Sequence, residues 1–593
     1  MVNARTRVAL RNLFSPRIPN DTVPGAGPSP PDQLEVIIGL QRVPHTPTPA
    51  RNRRAGPVRP LTGAGQPLPE VDDSARGFIR YLAAFAGTGK LPQPVGYGIH
   101  EDEPYRQGIP AIDFGGAVDP VEQSAAGATA NYSLGLNVPG IGNGFPGFFV
   151  PVDPPDTNIA VGDTQIVEWV NVDYAVFDKA TGLPLTLAVP GNTLWSRNPD
   201  CGSTSANDGD PTVQWDAVAH RWLMNQNTYF LNPNYACIAV STSPDAMGSY
   251  YLYEFSLGNE FAHYSHWGVW PTGYFATMLV PDSNWHSEVC AYNRSKMLVG
   301  DSSTEQICIQ LPNDGDNSNL LPADVDSPTP PPAGEDEFFI GGVNAVDNSH
   351  LSLYSMHINN QNDWSQGATF TGEGNSQLIA VAPYTSACAY PVACVPQLDT
   401  NFYYSLQAQG GLVMYRFVYW EDKPSIAVSP ATPGTLPAQH WFTNQTVLAS
   451  GGNGAVRWYE FTAPIKKVPV TSLTVFQQGT FAPDSNWRWM ASMARDKVGD
   501  ILMGYSVSSS RMYPGIAIAG RRGNDPLGTL ENEVTVVNGT GSQLDLTSRW
   551  GDYSSMRIDQ DGCTFWYTQE YYKVTTDTDW STRIVSAKFP NCQ

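Results

Sequence analysis

Three segments decide how this chain folds: PTVQWDAVAHRWLM at 211–224, ASMARDKVGDILMGY at 491–505 and SSMRIDQDGCTFWYT at 554–568. Aligned on Asp216, Asp496 and Asp559, each has an apolar residue three positions before the Asp (Val213, Met493, Met556) and another six after it (Trp222, Leu502, Phe565). Apolar residues at matching points on both arms of a polar turn mark a hairpin with one buried face. The Asp accepts hydrogen bonds from amides of its own turn, and a glycine or another residue tolerant of the left-handed region reverses the chain. A weaker copy, YAVFDKATGLPLT, surrounds Asp178.

Divergent hairpins tens of residues apart cannot each bury two faces, so they must stack. Radial stacking gives an all-β propeller of six to eight blades over 130–593. A chain of 593 residues exceeds what one core supports, and a propeller buries its core in sectors. Sixteen Trp, 27 Tyr, 54 Gly and 50 Pro suit short strands and turns better than long helices. Ahead of the blades, residues 1–70 read as a Pro- and Arg-rich extended tail. Residues 71–129 read as a helix and linker packing on the body, since Phe78, Leu82 and Phe85 recur at helical spacing between Ser74 and Gly87. The acidic, Pro-rich stretches at 312–336 and 423–439 read as loops joining blades.

The net charge of −22 argues against nucleic acid or anionic lipid as partners. Residues 1–60 hold nine Arg against three acids, which leaves −28 on the remainder. That basic tail either docks on a surface or protein partner or stays solvated. Eight cysteines, Cys201, Cys237, Cys290, Cys308, Cys388, Cys394, Cys563 and Cys592, lack metal-type spacing and read as disulfides. Nearest-neighbour pairing closes short loops, although eight cysteines allow 105 connectivities. Disulfides imply an oxidising compartment, hence an extracellular or cell-surface protein. Sequons stand at Asn131, Asn293, Asn444 and Asn538. The opening MVNARTRVALRNLFSPRIPN has no apolar stretch of signal-peptide length, so either a leader was replaced by Met, the favoured explanation, or export takes another route, or the cysteines stay reduced. No run of about 18 apolar residues offers a membrane span.

The hairpins resemble the Asp-box turns of sialidase-type propellers, Ser-x-Asp-x-Gly-x-x-Trp, with no copy matching in full. The blocks at 154–171, 207–226, 237–255, 481–510 and 549–572 look like a broad group of uncharacterised exported bacterial proteins. That resemblance implies a propeller and export, and no particular chemistry.

Sialidase-like hydrolysis needs an arginine cluster, a Tyr nucleophile with a Glu base and an acid/base Asp. Arg416, Arg457, Arg488, Arg549, Tyr553, Glu570 and Asp552 offer these types. A neutral-glycan hydrolase needs two carboxylates roughly 5–10 Å apart, and Asp210, Asp552 and Asp156 each stand just before an expected inner strand. The plainer role for each is a turn cap. Asp153, Asp156 and Asn158 with Asp163, or Asn207 with Asp208 and Asp210, present oxygen ligands at a spacing suited to structural calcium. Trp487, Trp489 and Trp550 suit stacking on sugars, although a sheet core, the default place for such residues, uses them too, and Arg488 takes the opposite strand face from Trp487 and Trp489. His263 and His266 read as packing residues. No nucleophile elbow, phosphate loop or dinucleotide fingerprint is present. Two principal readings result: a secreted propeller directed at polysaccharide or glycoconjugate, hydrolysing it with channel-lining carboxylates and needing no cofactor, or a non-catalytic cell-surface binding or scaffold propeller. A propeller oxidoreductase or lyase is a third.

Overall fold

The computed structural model describes residues 119–593 except 151, 204–205, 230, 232, 259–262, 281–285, 312–318, 343–347, 373–376, 389–391, 423–438 and 464–469, together with a two-residue strand at 48–49. The tail over 1–47 and the helix expected at 74–87 lie outside the described residues. Everything described belongs to one compact unit, 44–593.

Seven antiparallel sheets follow one another along the chain. Blade 1 holds Asn158–Val161, Gln165–Val170, Asp173–Asp178 and Val189–Pro190, and blade 2 holds Thr212–Asp216, Arg221–Asn227, Asn234–Ser241 and Tyr250–Gly258. Blade 3 holds His263–Trp270, Gly273–Val280, His286–Tyr292 and Glu305–Gln310. Blade 4 holds Leu321–Val325, Glu337–Gly342 and His350–Ile358, edged by both Ala368–Thr371 and Gln377–Ala380. Blade 5 holds Val413–Glu421, Gln439–Leu448, Gly454–Thr462 and Thr474–Phe481, and blade 6 holds Trp487–Arg495, Ile501–Ser509, Met512–Arg521 and Val534–Val537. Blade 7 takes Ser555–Ile558, Thr564–Tyr572 and Trp580–Lys588, and its outer strand is the much earlier Ser133–Gly142. The first strand of each sheet adjoins the first strand of the next, and Ser555–Ile558 meets Asn158–Val161 to complete the circuit. Between blades 4 and 5 these inner strands are hydrogen-bonded in parallel, Ala323 opposite Phe417. The protein is a β-propeller of seven blades.

The apolar core lies in sectors between blades. Val167, Trp169 and Val176 of blade 1 meet Val213, Trp215, Trp222 and Met224 of blade 2. Leu502, Met503 and Ile518 of blade 6 pack with Met556, Phe565 and Val585 of blade 7. Close approach demands glycine at two points: a Cβ on Gly504 would lie 2.4 Å from the Tyr567 ring, and one on Gly268 would lie 2.2 Å from the Ala323 carbonyl.

A buried ion-pair network fills the axis. The Arg557 guanidinium donates to Asp324 at 2.6 Å, to the carbonyls of Ile159 and Val213, and to the Tyr415 hydroxyl. One side chain of blade 7 thereby ties blades 1, 2, 4 and 5. Arg416 donates to Asp324 at 2.8 Å and to Asp326, and burial of these four groups is tolerable because two guanidiniums, Arg416 and Arg557, match two carboxylates.

All eight cysteines are paired, 201–237, 290–308, 388–394 and 563–592. Asn293 and Asn444 are buried, so those two sequons have no accessible acceptor.

Several expectations need correction. Residues 312–336 are not simply a joining loop, because Leu321–Val325 is the inner strand of blade 4, short and hidden among turn-forming residues. The stretch 423–439 connects two paired strands within blade 5 rather than two blades. Asp216, Asp496 and Asp559 all stand between first and second strands, but Asp178 lies between the last two strands of blade 1 and is not a copy of them. Asp216 accepts from Ala219 N, and Asp496 accepts from the amides of Val498 and Asp500. Asp559 instead binds Lys179 and the Trp566 indole, and Asp561 caps that turn through Cys563 N and Thr564 N.

Candidate functional site

The Asp216, Asp496 and Asp559 hairpins mark one end of the propeller, the turn end. At the opposite, inlet end, the chain passes into each innermost strand. There Asp156, Asp210, Tyr264, Asn319, Met490 and Asp552, from blades 1, 2, 3, 4, 6 and 7, all have positive φ, between 47° and 62°. Asp and Asn tolerate this region through local side-chain bonding; Tyr and Met do not favour it, so tertiary packing imposes it there.

Three of these residues converge. Asp156 and Asp210 hydrogen-bond each other through their carboxyl groups, which requires one shared proton. Asp156 Oδ2 accepts from Asn171 Nδ2 at 3.0 Å, and no N–H or O–H group bonds its buried Oδ1. Asp210 Oδ2 accepts from the Tyr229 hydroxyl and from Tyr264 N, both at 2.6 Å. The Asp156 carboxyl is pushed well above its ordinary range by burial first and then by the charges of Asp552 and Asp210. Asp552 differs: the Gln409 amide donates to Oδ1 and the Arg549 guanidinium to Oδ2, the bonding pattern of an ionised carboxylate.

Behind them lies a second acid pair. Glu570 accepts from Gly551 N at 2.9 Å, and Asp153 accepts from Gln543 and Tyr572. Burial raises both carboxyls, helped for Glu570 by the Asp153 charge and for Asp153 by Asp545. The rings of Tyr264, His266, Tyr415 and Tyr553 form a neighbouring cluster, with centroids 4.6–6.0 Å apart. Burial lowers His266 to about 3, so the imidazole is neutral.

Among the sequence candidates, Asp156, Asp210, Asp552, Arg549 and Glu570 share this region. Tyr553 is not placed as a nucleophile, because its hydroxyl donates to the Ser265 carbonyl at 2.9 Å and burial raises it well above its ordinary range. The arginine cluster does not form: Arg416 is locked to Asp324 and Asp326, Arg457 to Asp119, and Arg488 to Glu533 and Asp484. Trp489 and Trp550 are fully buried against each other, while Trp487 is half-buried over Gly454. The first two are core rather than sugar platforms. The calcium candidates each have protein partners. Asn158 Oδ1 accepts from Val213 N, Asp208 from Tyr229 N, and Asp153 and Asp156 face different partners. Among the described residues the single group of three close metal-type ligands is Glu288, Cys290 and Cys308, and its two cysteines form a disulfide.

Tyr229, Tyr264, Gln409 and Asn171 were missed from sequence. A signal was present for the acids themselves: Asp156, Asp210 and Asp552 each precede Asn158, Thr212 or Ser554 by two positions.

No family model and no curated protein matches the chain. Solved structures with similar strand arrangement include a subtype N10 neuraminidase-like protein of A/little yellow-shouldered bat/Guatemala (11% identity, 62% of this chain and 94% of that one, TM-score 0.30). Others are the endo-arabinase of Bacteroides thetaiotaomicron (8%, 64% and 92%, 0.26) and the polysaccharide lyase Uly1 (9%, 84% and 97%, 0.33). At such values the activity has to be argued from this chain's own residues.

Proposed function

We propose that this is an exported, glycan-directed propeller whose inlet-end acids cleave glycosidic bonds. The observation that carries the reading is the convergence of Asp156, Asp210 and Asp552 from three blades in contrasting environments, Asp156 raised by burial and its acidic neighbours and Asp552 held by Arg549 and Gln409. Environments that push neighbouring carboxyls apart divide the acid and base roles between them. The Asp156–Asp210 pair holds a proton to give to a leaving oxygen. Asp552, oriented by Arg549 and Gln409, supplies the carboxylate that activates water or attacks the sugar. A pair sharing one proton is too close to serve alone, since glycosidases separate their carboxyls by about 5–5.5 Å or 6.5–9.5 Å. Asp552 is thus the required partner. Export is supported by the four disulfides.

A second reading has its own observation. Asp156 has no exposed surface, and Asp210 and Asp552 retain 5% and 2%. Acids so covered also serve as a hydrogen-bonded collar in a non-catalytic binding propeller. Incubating the purified protein with a polysaccharide panel, and measuring both retention and new reducing ends, separates the two. Reducing ends that vanish in Asp552→Asn support cleavage; retention without release at any pH from 4 to 8 refutes it.

A further inference from the structure

Trp489 and Trp550 are buried, yet two other aromatic rings stand open at the inlet end. Phe402 and Tyr403 are 52% and 50% exposed, with ring centroids 4.3 Å apart. They occupy a single turn, Phe402–Tyr404, whose start is capped by Asn401 accepting from Tyr403 N. Adjacent exposed rings of this size are unusual on a solvated loop and mark a contact surface.

The platform is held firmly. Ser508 Oγ donates to the Pro396 carbonyl and Ser542 Oγ to that of Leu398, both at 2.7 Å. Tyr513 OH donates to Asp399 at 2.7 Å, and Gln543 N to Gln397 Oε1 at 2.8 Å. Ala393–Val395 pairs with Leu406–Gln407 across its base, next to the Cys388–Cys394 disulfide. Two residues beyond that pairing, Gln409 donates to Asp552, and Gln407 N binds the Ser548 carbonyl on the segment that carries Arg549 and Asp552. The exposed rings and the acid cluster are therefore borne by two loops hydrogen-bonded into one wall. A rigid aromatic face loses little conformational entropy on binding.

We propose that Phe402 and Tyr403 form a carbohydrate-stacking subsite at the inlet end, holding sugar units of a neutral glycan remote from the bond at the acid cluster. The inference rests on the glycan-directed reading above. A sugar ring presents an apolar C–H face matched to one or two aromatic rings and hydroxyls suited to the polar groups of Asp399, Thr400 and Asn401 beside them. The acidic charge of the chain disfavours an anionic occupant.

The test compares wild type with Phe402→Ala/Tyr403→Ala on neutral gluco-, xylo-, arabino- and galacto-oligosaccharides, as hexaoses and disaccharides, by calorimetry and reducing-end release. The double variant should weaken hexaose binding about tenfold, leave disaccharide cleavage unchanged and keep the wild-type Tm. Tyr403→Phe, which retains the ring, should restore most of the affinity when Phe402 is intact. Unchanged hexaose affinity in the double variant, with a wild type that cleaves, overturns the subsite and leaves the cleavage reading standing. A wild type that binds hexaose through these rings but releases no reducing ends keeps the subsite and sinks catalysis. A wild type that neither binds nor cleaves overturns both.

Discussion

The two ends of the propeller use the same residue for opposite purposes. At the turn end, Asp216 and Asp496 bond amides of their own hairpins, and Asp559 a lysine and an indole; at the inlet end, Asp156, Asp210 and Asp552 bond across blades and act on one another. The difference teaches that an aspartate beside a strand has little meaning until its partners are known. Amide and cationic partners make it a brace, whereas other acids brought from neighbouring blades make a shared electrostatic site.

Four measurements break or sharpen that contrast. The largest effect is expected at the inlet end, where Asp552→Asn should lower kcat roughly 10²–10⁴-fold per folded molecule, because removing an acid–base group acts on the reaction beyond the stability lost with the Arg549 ion pair. Equal losses of kcat and of folded protein would make Asp552 a brace like the others. At the turn end, Asp216→Ala strips a carboxylate that Arg294 grips through Nε and Nη2 at 2.6 and 2.9 Å and that also accepts from Tyr274. Leaving that guanidinium without its counterion should cost about 3–5 kcal/mol of stability in denaturant titration, with specific activity per folded molecule preserved.

A smaller effect is a slope against pH. Asp156 and Asp496 both have carboxyls raised above the ordinary 3.8, Asp496 to about 7 through burial and the Asp500 charge. A raised carboxyl keeps its proton when folded and loses it when unfolded. Its stabilising contribution is thus full below 3.8 and is lost as pH rises through the folded value, at up to ~1.4 kcal/mol per pH unit. Unfolding of Asp496→Asn from pH 4 to 8 should differ from wild type in slope up to about 7 and run parallel above it. Asp156→Asn should flatten the fall from pH 4 upward, and identical slopes in variant and wild type would remove the shared proton from the account. Smallest of all, Asp561→Ala should cost about 1 kcal/mol, since it removes a cap from an exposed turn; a loss several times larger would reveal a role beyond Cys563 and Thr564.

The blades were legible because hairpin periodicity is a local property, written within a dozen residues of Asp216, Asp496 and Asp559. The inner strand of blade 4 was not, since Pro322 and Asp324 look like turn residues until Arg416 and Arg557 are brought to them. At the candidate site, Asp210, Asp552 and Asp156 stood out as acids ahead of strands. Tyr264 and Gln409 did not, because a tyrosine in the left-handed region and a glutamine from another blade acquire their roles only through tertiary contact. Trp550 and Phe402 show the same limit in reverse. Either ring can stack on sugar, and burial alone decides that the tryptophan does not.

The last sheet also sets an order of events in synthesis. Arg583 reaches back 446 positions to Asn137, and the outer strand of blade 7 waits for the partner strand Trp580–Lys588. During translation the strand Ser133–Gly142 is thus an unpaired edge until Trp580–Lys588 is made, exposed to mispairing with other nascent chains. Ring closure consequently waits for Trp580–Lys588: a product truncated before Trp580 retains six sheets and two strands of the seventh but has nothing to pair with that edge.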